Sequence, residues 1–277
     1  MIVCKELPNR DFASKEDMFK ALVENKSAIV ALKKAAVKFS DGFSFGYVES
    51  TEKEEVVKAN MPVLNPDLSE VKVKVVMNTI GLLDSHGDVH VKDIWKRTLS
   101  HSNKKLHLQE HKRSFEAVIS NDAEAYVKTV SWKSLGAEYE GSTQALIFES
   151  VVKASRNPIM FEQYKNGWVN NHSVGMQYVD LHMCINSEER WAEDYKKNWD
   201  KYIDFVANKE DAEATGYFWA VTEAKLVEGS AVLFGSNYVT PTLDNNMKNA
   251  PDAPSEDNDP LQGTQEEQKE IINLNYY

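Results

Sequence analysis

Strict alternation of apolar and polar residues constrains this chain more than any other feature. It begins at Val71, where Val71, Val73, Val75 and Met77 fall on one side of an extended segment and Lys72 and Lys74 on the other. A period of two belongs to a strand buried on one face, so the pattern predicts a sheet packed against a core. Further strands are expected at Ala125 to Trp132, Gln144 to Val152, Ser173 to Met183, Tyr217 to Leu226 and Gly229 to Phe234. Helical spacing interrupts them. Between Ser14 and Phe39 an apolar stripe of Met18, Leu22, Val23, Ile29, Leu32, Ala36 and Val37 predicts a helix that packs on the main domain, with Ser14 as its N-cap and Asp17 in its first turn. A short helix is expected at Ile159 to Tyr164. A longer one is expected at Glu188 to Asn208, where Trp191, Tyr195, Trp199, Tyr202 and Phe205 recur at spacings of three and four. Such a stripe is read as core-facing or dimer-facing rather than as a nucleic-acid face.

Composition sets the outer limits. The 277 residues suffice for one large domain or two small ones, and 42% apolar content is that of a folded globule. A net charge of −11 argues against a general nucleic-acid binder, which needs a basic surface to neutralise phosphates. Cys4 and Cys184 stand far apart with no CxxC, so neither a disulfide framework nor a thiolate zinc site is expected. Met1 to Glu6 lacks the charged-then-apolar pattern of a secretory signal, and no apolar run reaches membrane-spanning length. The expectation is a soluble protein of a reducing compartment. Three regions follow: residues 1–70 as a helical extension and linker, 71–241 as the main domain, and 242–277 as a disordered acidic tail. The linker holds the charged cluster Glu52 to Lys58; the tail holds Pro251, Pro254 and Pro260 among Asn, Asp, Glu and Gln.

Five segments could supply chemistry. Asp84-Ser85-His86-Gly87-Asp88-Val89-His90 holds two acids and two histidines, but Asp, Ser and Gly are also turn formers, and the turn is preferred to a metal site. His107-Leu108-Gln109-Glu110-His111 fits the HxxEH pattern of the inverted zinc proteases, which requires a helix. Here Leu106 and Leu108 alternate about His107, which suits a strand entering a loop. Asn171-His172-Ser173-Val174-Gly175 offers a strand serine. His172 points to the opposite face from Ser173 and is expected to be a half-exposed strand residue. Glu228, within Leu226-Val227-Glu228-Gly229-Ser230, and Glu149 are acids set among apolar strand residues, and each needs a partner. Imidazole and hydroxyl brought together from different strands would form the minimum apparatus for acyl transfer.

Read in order, these motifs resemble those of the prohead maturation proteases of tailed bacteriophages, which share the fold of the herpesvirus protease assemblin. Asp84 to Val89 matches a D-x-H-G-D-V segment, and Gln109-Glu110-His111 matches a Q-H motif with one residue inserted. Ser173-Val174-Gly175-Met176 matches S-I-G-F, and Leu226 to Ser230 matches L-x-E-V-S. Lys112 departs from the family, which usually has an acid after the histidine, as does Val91 to Trp95, which replaces a proline-glycine-alanine run. The resemblance spans roughly residues 71–241. It implies an α+β domain built as a mainly antiparallel, partly closed β-barrel surrounded by helices. It also implies a serine endopeptidase with Ser173 as nucleophile, His111 as general base and Glu228 as the third member, Glu149 being the fallback. No cofactor or metal is implied; the oxyanion site would lie near Gly235-Ser236-Asn237. The expected substrates are scaffold and major capsid proteins, and the chain itself within 242–277, inside an assembling procapsid in the host cytoplasm. A homodimer or a capsid-bound state is suggested. Two alternatives stand beside it: a zinc peptidase using His107, Glu110 and His111, and a non-catalytic assembly protein with a degenerate protease fold.

Overall fold

A computed structural model describes residues 2–39, 46–49 and 69–233, all within one compact unit. Residues Glu52 to Lys58, Gly235 to Asn237 and the 242–277 segment lie outside the described residues. The chain opens with two short paired strands, β1 (Ile2–Val3) and β2 (Asp11–Phe12), followed by α1 (Lys15–Glu24) and α2 (Lys26–Ala35). Ser14 caps α1, its Oγ accepting from the Asp17 N–H at 3.1 Å. The single helix expected from Ser14 to Phe39 is instead broken at Asn25. The Asn25 side chain bonds back to the Ala21 carbonyl at 2.8 Å and ends the first helix. The break rotates the inward face. Met18, Phe19 and Leu22 are buried before it and Ile29 and Lys33 after it, while Leu32 is left exposed.

Nine strands form one sheet among the described residues. After β3 (Val37–Phe39) and β4 (Gly46–Glu49) come β5 (Glu70–Thr79), β6 (Asp88–His90), α3 (Lys96–His101) and β7 (Lys104–Gln109). The chain continues through β8 (Val118–Ser131), β9 (Ser142–Lys153), α4 (Pro158–Lys165) and β10 (His172–Ile185). The last elements among the described residues are α5 (Glu193–Tyr202), α6 (Lys209–Thr215) and the 15-residue β11 (Tyr217–Ala231). The hydrogen-bonded order is β3-β10-β11-β7-β8-β9-β5-β4, with β6 also on β11. Most pairs are antiparallel; β11 alone has parallel neighbours, β6 and β7, so the sheet is mixed. The two strands expected at Tyr217–Leu226 and Gly229–Phe234 are one continuous strand through Ala231. Its interruption is a bulge at Val227, because Gly175 pairs with Glu228 and Met176 with Leu226.

The expected partly closed barrel is replaced by an open ladder whose edges are β3 and β4. The sheet nevertheless curls strongly. A Cβ on Gly229 of β11 would lie 2.6 Å from Phe148 Cε2 on β9 and 2.9 Å from Met77 Cε on β5, although β7 and β8 separate these strands in the ladder. Only glycine permits that approach. The resulting core joins Val71, Val73, Val75 and Met77 to residues of β9, β10 and β11, and to Met18, Phe19 and Leu22 of α1. The N-terminal segment is thus built into the domain: β3 extends β10, β4 extends β5, and the helices cover the shared core.

Most of the aromatic stripe faces inward, with Trp199 buried and Phe205 exposed. Trp199 packs on Phe218 with centroids 5.1 Å apart, and Trp191 and Tyr195 lie against the main core. Within the expected Glu188–Asn208 helix only α5 is α-helical, with 3₁₀ turns at Arg190–Ala192 before it and Ile203–Phe205 after it; α6 begins beyond the expected helix. No helix among the described residues is long and apolar enough to cross a membrane.

Candidate functional site

The middle strand of the site is β11, which lies between β10 on one side and β7 on the other. On the β10 side, Ser173 pairs with Ser230 and Gly175 with Glu228. Residues two apart on a strand share a face, and opposed residues in an antiparallel pair share it too. Ser173, Gly175, Glu228 and Ser230 therefore form one patch. On the β7 side, Ser230 pairs with Leu108, and the chain turns immediately after Gln109. That turn delivers His111.

The turn is strained. Glu110 and His111 both have φ of 54°, the left-handed region that non-glycine residues avoid, at a cost of about 1–3 kcal/mol each. Four bonds hold it: Glu110 N to Ala231 O at 2.8 Å, His111 N to Ser230 Oγ at 3.2 Å, Lys112 N to Gln109 O at 3.0 Å, and Leu233 N to Glu110 Oε1 at 2.8 Å. The outcome is a bond of 2.7 Å between His111 Nδ1 and Glu228 Oε1. An ionised carboxylate only accepts, so Nδ1 donates the proton of this bond. Ser230 Oγ donates to Glu228 Oε2 at 2.6 Å, which satisfies the second carboxylate oxygen. Glu228 is 3% exposed and Ser173 2%, whereas the His111 side chain retains 15%.

Glu149 takes no part. It lies on β9, accepts from Tyr126 OH at 2.7 Å and pairs with Lys74 at 3.3 Å, and these partners hold its carboxyl below the usual range. The carboxylate at His111 is Glu228.

The HxxEH segment is strand and turn rather than helix. His107 is fully buried, with Nδ1 on Ser150 Oγ at 3.0 Å and Nε2 on Tyr164 OH at 3.1 Å, so both ring nitrogens are committed away from His111. His172, expected to be half exposed, is buried with Nε2 2.8 Å from the same phenol. The Asp84–His90 segment is a turn that leads into β6 at Asp88. Asp84 Oδ1 accepts from the His86 and Asp88 N–H groups at 2.9 and 2.8 Å, with Gly87 at φ +74°. Among the described residues no group of three or more His, Cys, Asp or Glu side chains is placed to hold a metal ion. Cys4 and Cys184 are buried and unbridged, and burial pushes the Cys184 thiol up to about 12, which removes it as a nucleophile.

No family model, curated protein or solved structure matches this chain. The geometry contains two things that the motifs did not foretell. Ser230 bonds both the acid and the histidine's backbone, a role that its two-residue spacing from Glu228 could have signalled. The buried His107–Tyr164–His172 cluster lies directly behind the site strands, since His172 precedes Ser173 and His107 pairs with Gly229.

Three buried histidines make folding sensitive to acid. Desolvation holds His107 down to about 3 and His90 to about 4, the latter also repelled by His86; burial, and secondarily His107, push His172 well below 6.5. All three are neutral in the folded chain and protonate near pH 6.5 in the unfolded one, so their stability is present above that pH and lost as pH falls towards 4. Going from pH 7 to pH 5 should cost about 2 kcal/mol per histidine. Urea midpoints should fall steeply across that interval, less steeply in His90→Gln. A midpoint that stays flat from pH 7 to 5 would rule out neutral buried imidazoles.

Proposed function

We propose that this chain is a serine endopeptidase of the prohead-protease kind, with Ser173 as nucleophile, His111 as general base and Glu228 as the acid that orients it. The observation that supports this most is the His111–Glu228 bond, set beside a serine whose own strand partner, Ser230, also bonds that acid. In the reaction, Ser173 Oγ attacks a peptide carbonyl and passes its proton to His111 Nε2. Glu228 stabilises the imidazolium. The same proton then goes to the departing amine, leaving an acyl-serine that water hydrolyses by the reverse exchange. The curled, mostly antiparallel sheet with external helices suits an assemblin-like barrel opened along one seam. By the motif resemblance, the substrates are scaffold and major capsid proteins inside an assembling procapsid in the host cytoplasm. The chain's own 242–277 segment, acidic and proline-bearing, is a further substrate, and the protease acts as a homodimer or bound to the capsid.

One observation favours a second reading. Ser173 is only 2% exposed, as expected for a protease fold kept as a non-catalytic assembly protein. Full-length protein treated with diisopropyl fluorophosphate separates the two. Phosphorylation of Ser173 alone, seen by peptide mass, is the expected result, and it should be blocked by His111→Ala. A Ser173 that stays unmodified in protein co-expressed with its capsid and scaffold partners, with those partners intact, would leave the assembly role.

A further inference from the structure

We infer that Ser230 is a positioning residue: its hydroxyl is a bracket that fixes the orientation of Glu228 and the backbone of His111 at the same time. The inference rests on the proposed catalytic reading for its consequence in activity, though not for its geometry.

Three observations define the bracket. Ser230 Oγ donates to Glu228 Oε2 at 2.6 Å, and it accepts from the backbone N–H of His111 at 3.2 Å. One hydroxyl has one proton and two lone pairs, so these two bonds use it in complementary directions. Glu228 Oε1 in turn takes the proton of His111 Nδ1 at 2.7 Å. The bonds close a ring: from the His111 main chain to Ser230, from Ser230 to Glu228, and from Glu228 back to the His111 imidazole.

The ring answers a physical problem. His111 sits at φ 54°, so its conformation costs energy and persists only where surrounding bonds hold it. A carboxylate on a flexible side chain has several rotamers, and only one presents an oxygen to Nδ1. Ser230, 0% exposed and held in the ladder between Ser173 and Leu108, has no such freedom. It transfers the rigidity of the sheet to both floppy partners. Without it, Glu228 Oε2 and the His111 N–H would each lack the bond that the hydroxyl supplies, in a place where water has little access. The imidazole would then populate both tautomers and more than one tilt.

The test uses the full chain and two readouts that a merely structural role would leave unchanged. The first is the low-field proton resonance of His111 Nδ1–H, with the ¹⁵N shifts that report the tautomer. The second is the rate of Ser173 labelling by diisopropyl fluorophosphate. Ser230→Ala should lose the low-field resonance, mix the tautomers and slow labelling by roughly 10²-fold, the scale of a lost orienting contact. Ser230→Thr keeps the hydroxyl and should restore both. If Ser230→Ala does not fold, Ser230→Cys, close in volume and a weaker donor, should show the same losses. A folded Ser230→Ala or Ser230→Cys with wild-type tautomer and labelling rate would overturn the bracket. A wild-type protein that resists the reagent, yet loses the resonance on Ser230→Ala, would keep the bracket and discard the serine-hydrolase reading.

Discussion

On the proposed reading, Gly175→Ala is expected to lower hydrolytic activity by about 10²- to 10⁴-fold, although it removes no reactive group. Ser173→Ala deletes the proposed nucleophile and should lower turnover by about 10⁶-fold, to the residue of activity left by binding alone. Gly175 faces Glu228 across the ladder, and a Cβ there would overlap Glu228 Oε1 and come within 3.0 Å of its Cδ. The carboxylate has to leave its place, and Oε1 is the atom that holds His111 Nδ1. Loss of that bond frees the wrong tautomer, a defect worth about 10⁴-fold in enzymes that rely on such a dyad. The expected range for Gly175→Ala is therefore about 10²- to 10⁴-fold.

A double-mutant cycle makes this strict. Once Glu228→Ala has emptied the space, Gly175→Ala has nothing left to displace and should add little, so the two losses should be strongly non-additive. Glu149→Gln, on a different strand with Tyr126 and Lys74 for partners, should change activity by less than about twofold, as surface changes away from a site do. Losses that multiply in the double variant, or a Gly175→Ala protein as active as wild type, would sink the argument. Either could be read from the rate of Ser173 labelling by diisopropyl fluorophosphate.

The same residues show how far the sequence could be read. The strand positions of Ser173 and Glu228 follow from alternation, because a strand fixes which face a side chain occupies, whereas His111 stands in a turn and is singled out by motif order alone. What alternation does not encode is the ladder register. Gly175 looked like one small residue in a motif until pairing set it opposite Glu228, and Ser230 gained its role only when β11 came to lie between β10 and β7. Curling is also a property of the whole sheet, so nothing local announced that Gly229 would meet Phe148 and Met77, or that the ladder would stay open. His172 is buried rather than half exposed for a related reason. It points away from Ser173, as alternation predicts, but that direction leads into a second layer, where α4 supplies Tyr164, rather than into solvent. The break at Asn25 likewise redirected α2, which put Lys33 rather than Leu32 inside.

Lys33 is where the second large effect is expected, this time on stability. Adjacent to Lys34 in a lysine-rich helix end, it reads as a solvated charge, yet its side chain is only 7% exposed. Its ammonium bonds Asp88 Oδ1, reaches the His86 carbonyl at 3.3 Å and Glu6 Oε1 at 3.6 Å, and lies 5.5 Å from the centre of the Trp219 ring. Asp88 is 0% exposed and also accepts from Tyr178 OH at 2.9 Å. Glu6 accepts from Tyr217 OH and Trp219 Nε1 at 2.7 and 2.9 Å. Two acids thus depend on one buried cation for their countercharge. Lys33→Met fills the volume and removes the charge, which should cost about 3–5 kcal/mol and lower Tm by roughly 6–20 °C. Most of that loss is the cost of the stranded Asp88 carboxylate rather than the worth of the pair. Lys33→Met with Asp88→Asn, which keeps an acceptor for Tyr178, should therefore be more stable than Lys33→Met alone. Urea unfolding of the three proteins decides it. A single variant within about 1 kcal/mol of wild type would mean that water already reaches this cluster, since only a buried carboxylate is so costly to strand. A large loss would show that α2 and the N-terminal segment are fastened to the D-x-H-G-D turn by charge, so that removing them would unfold the domain that presents Ser173 and His111.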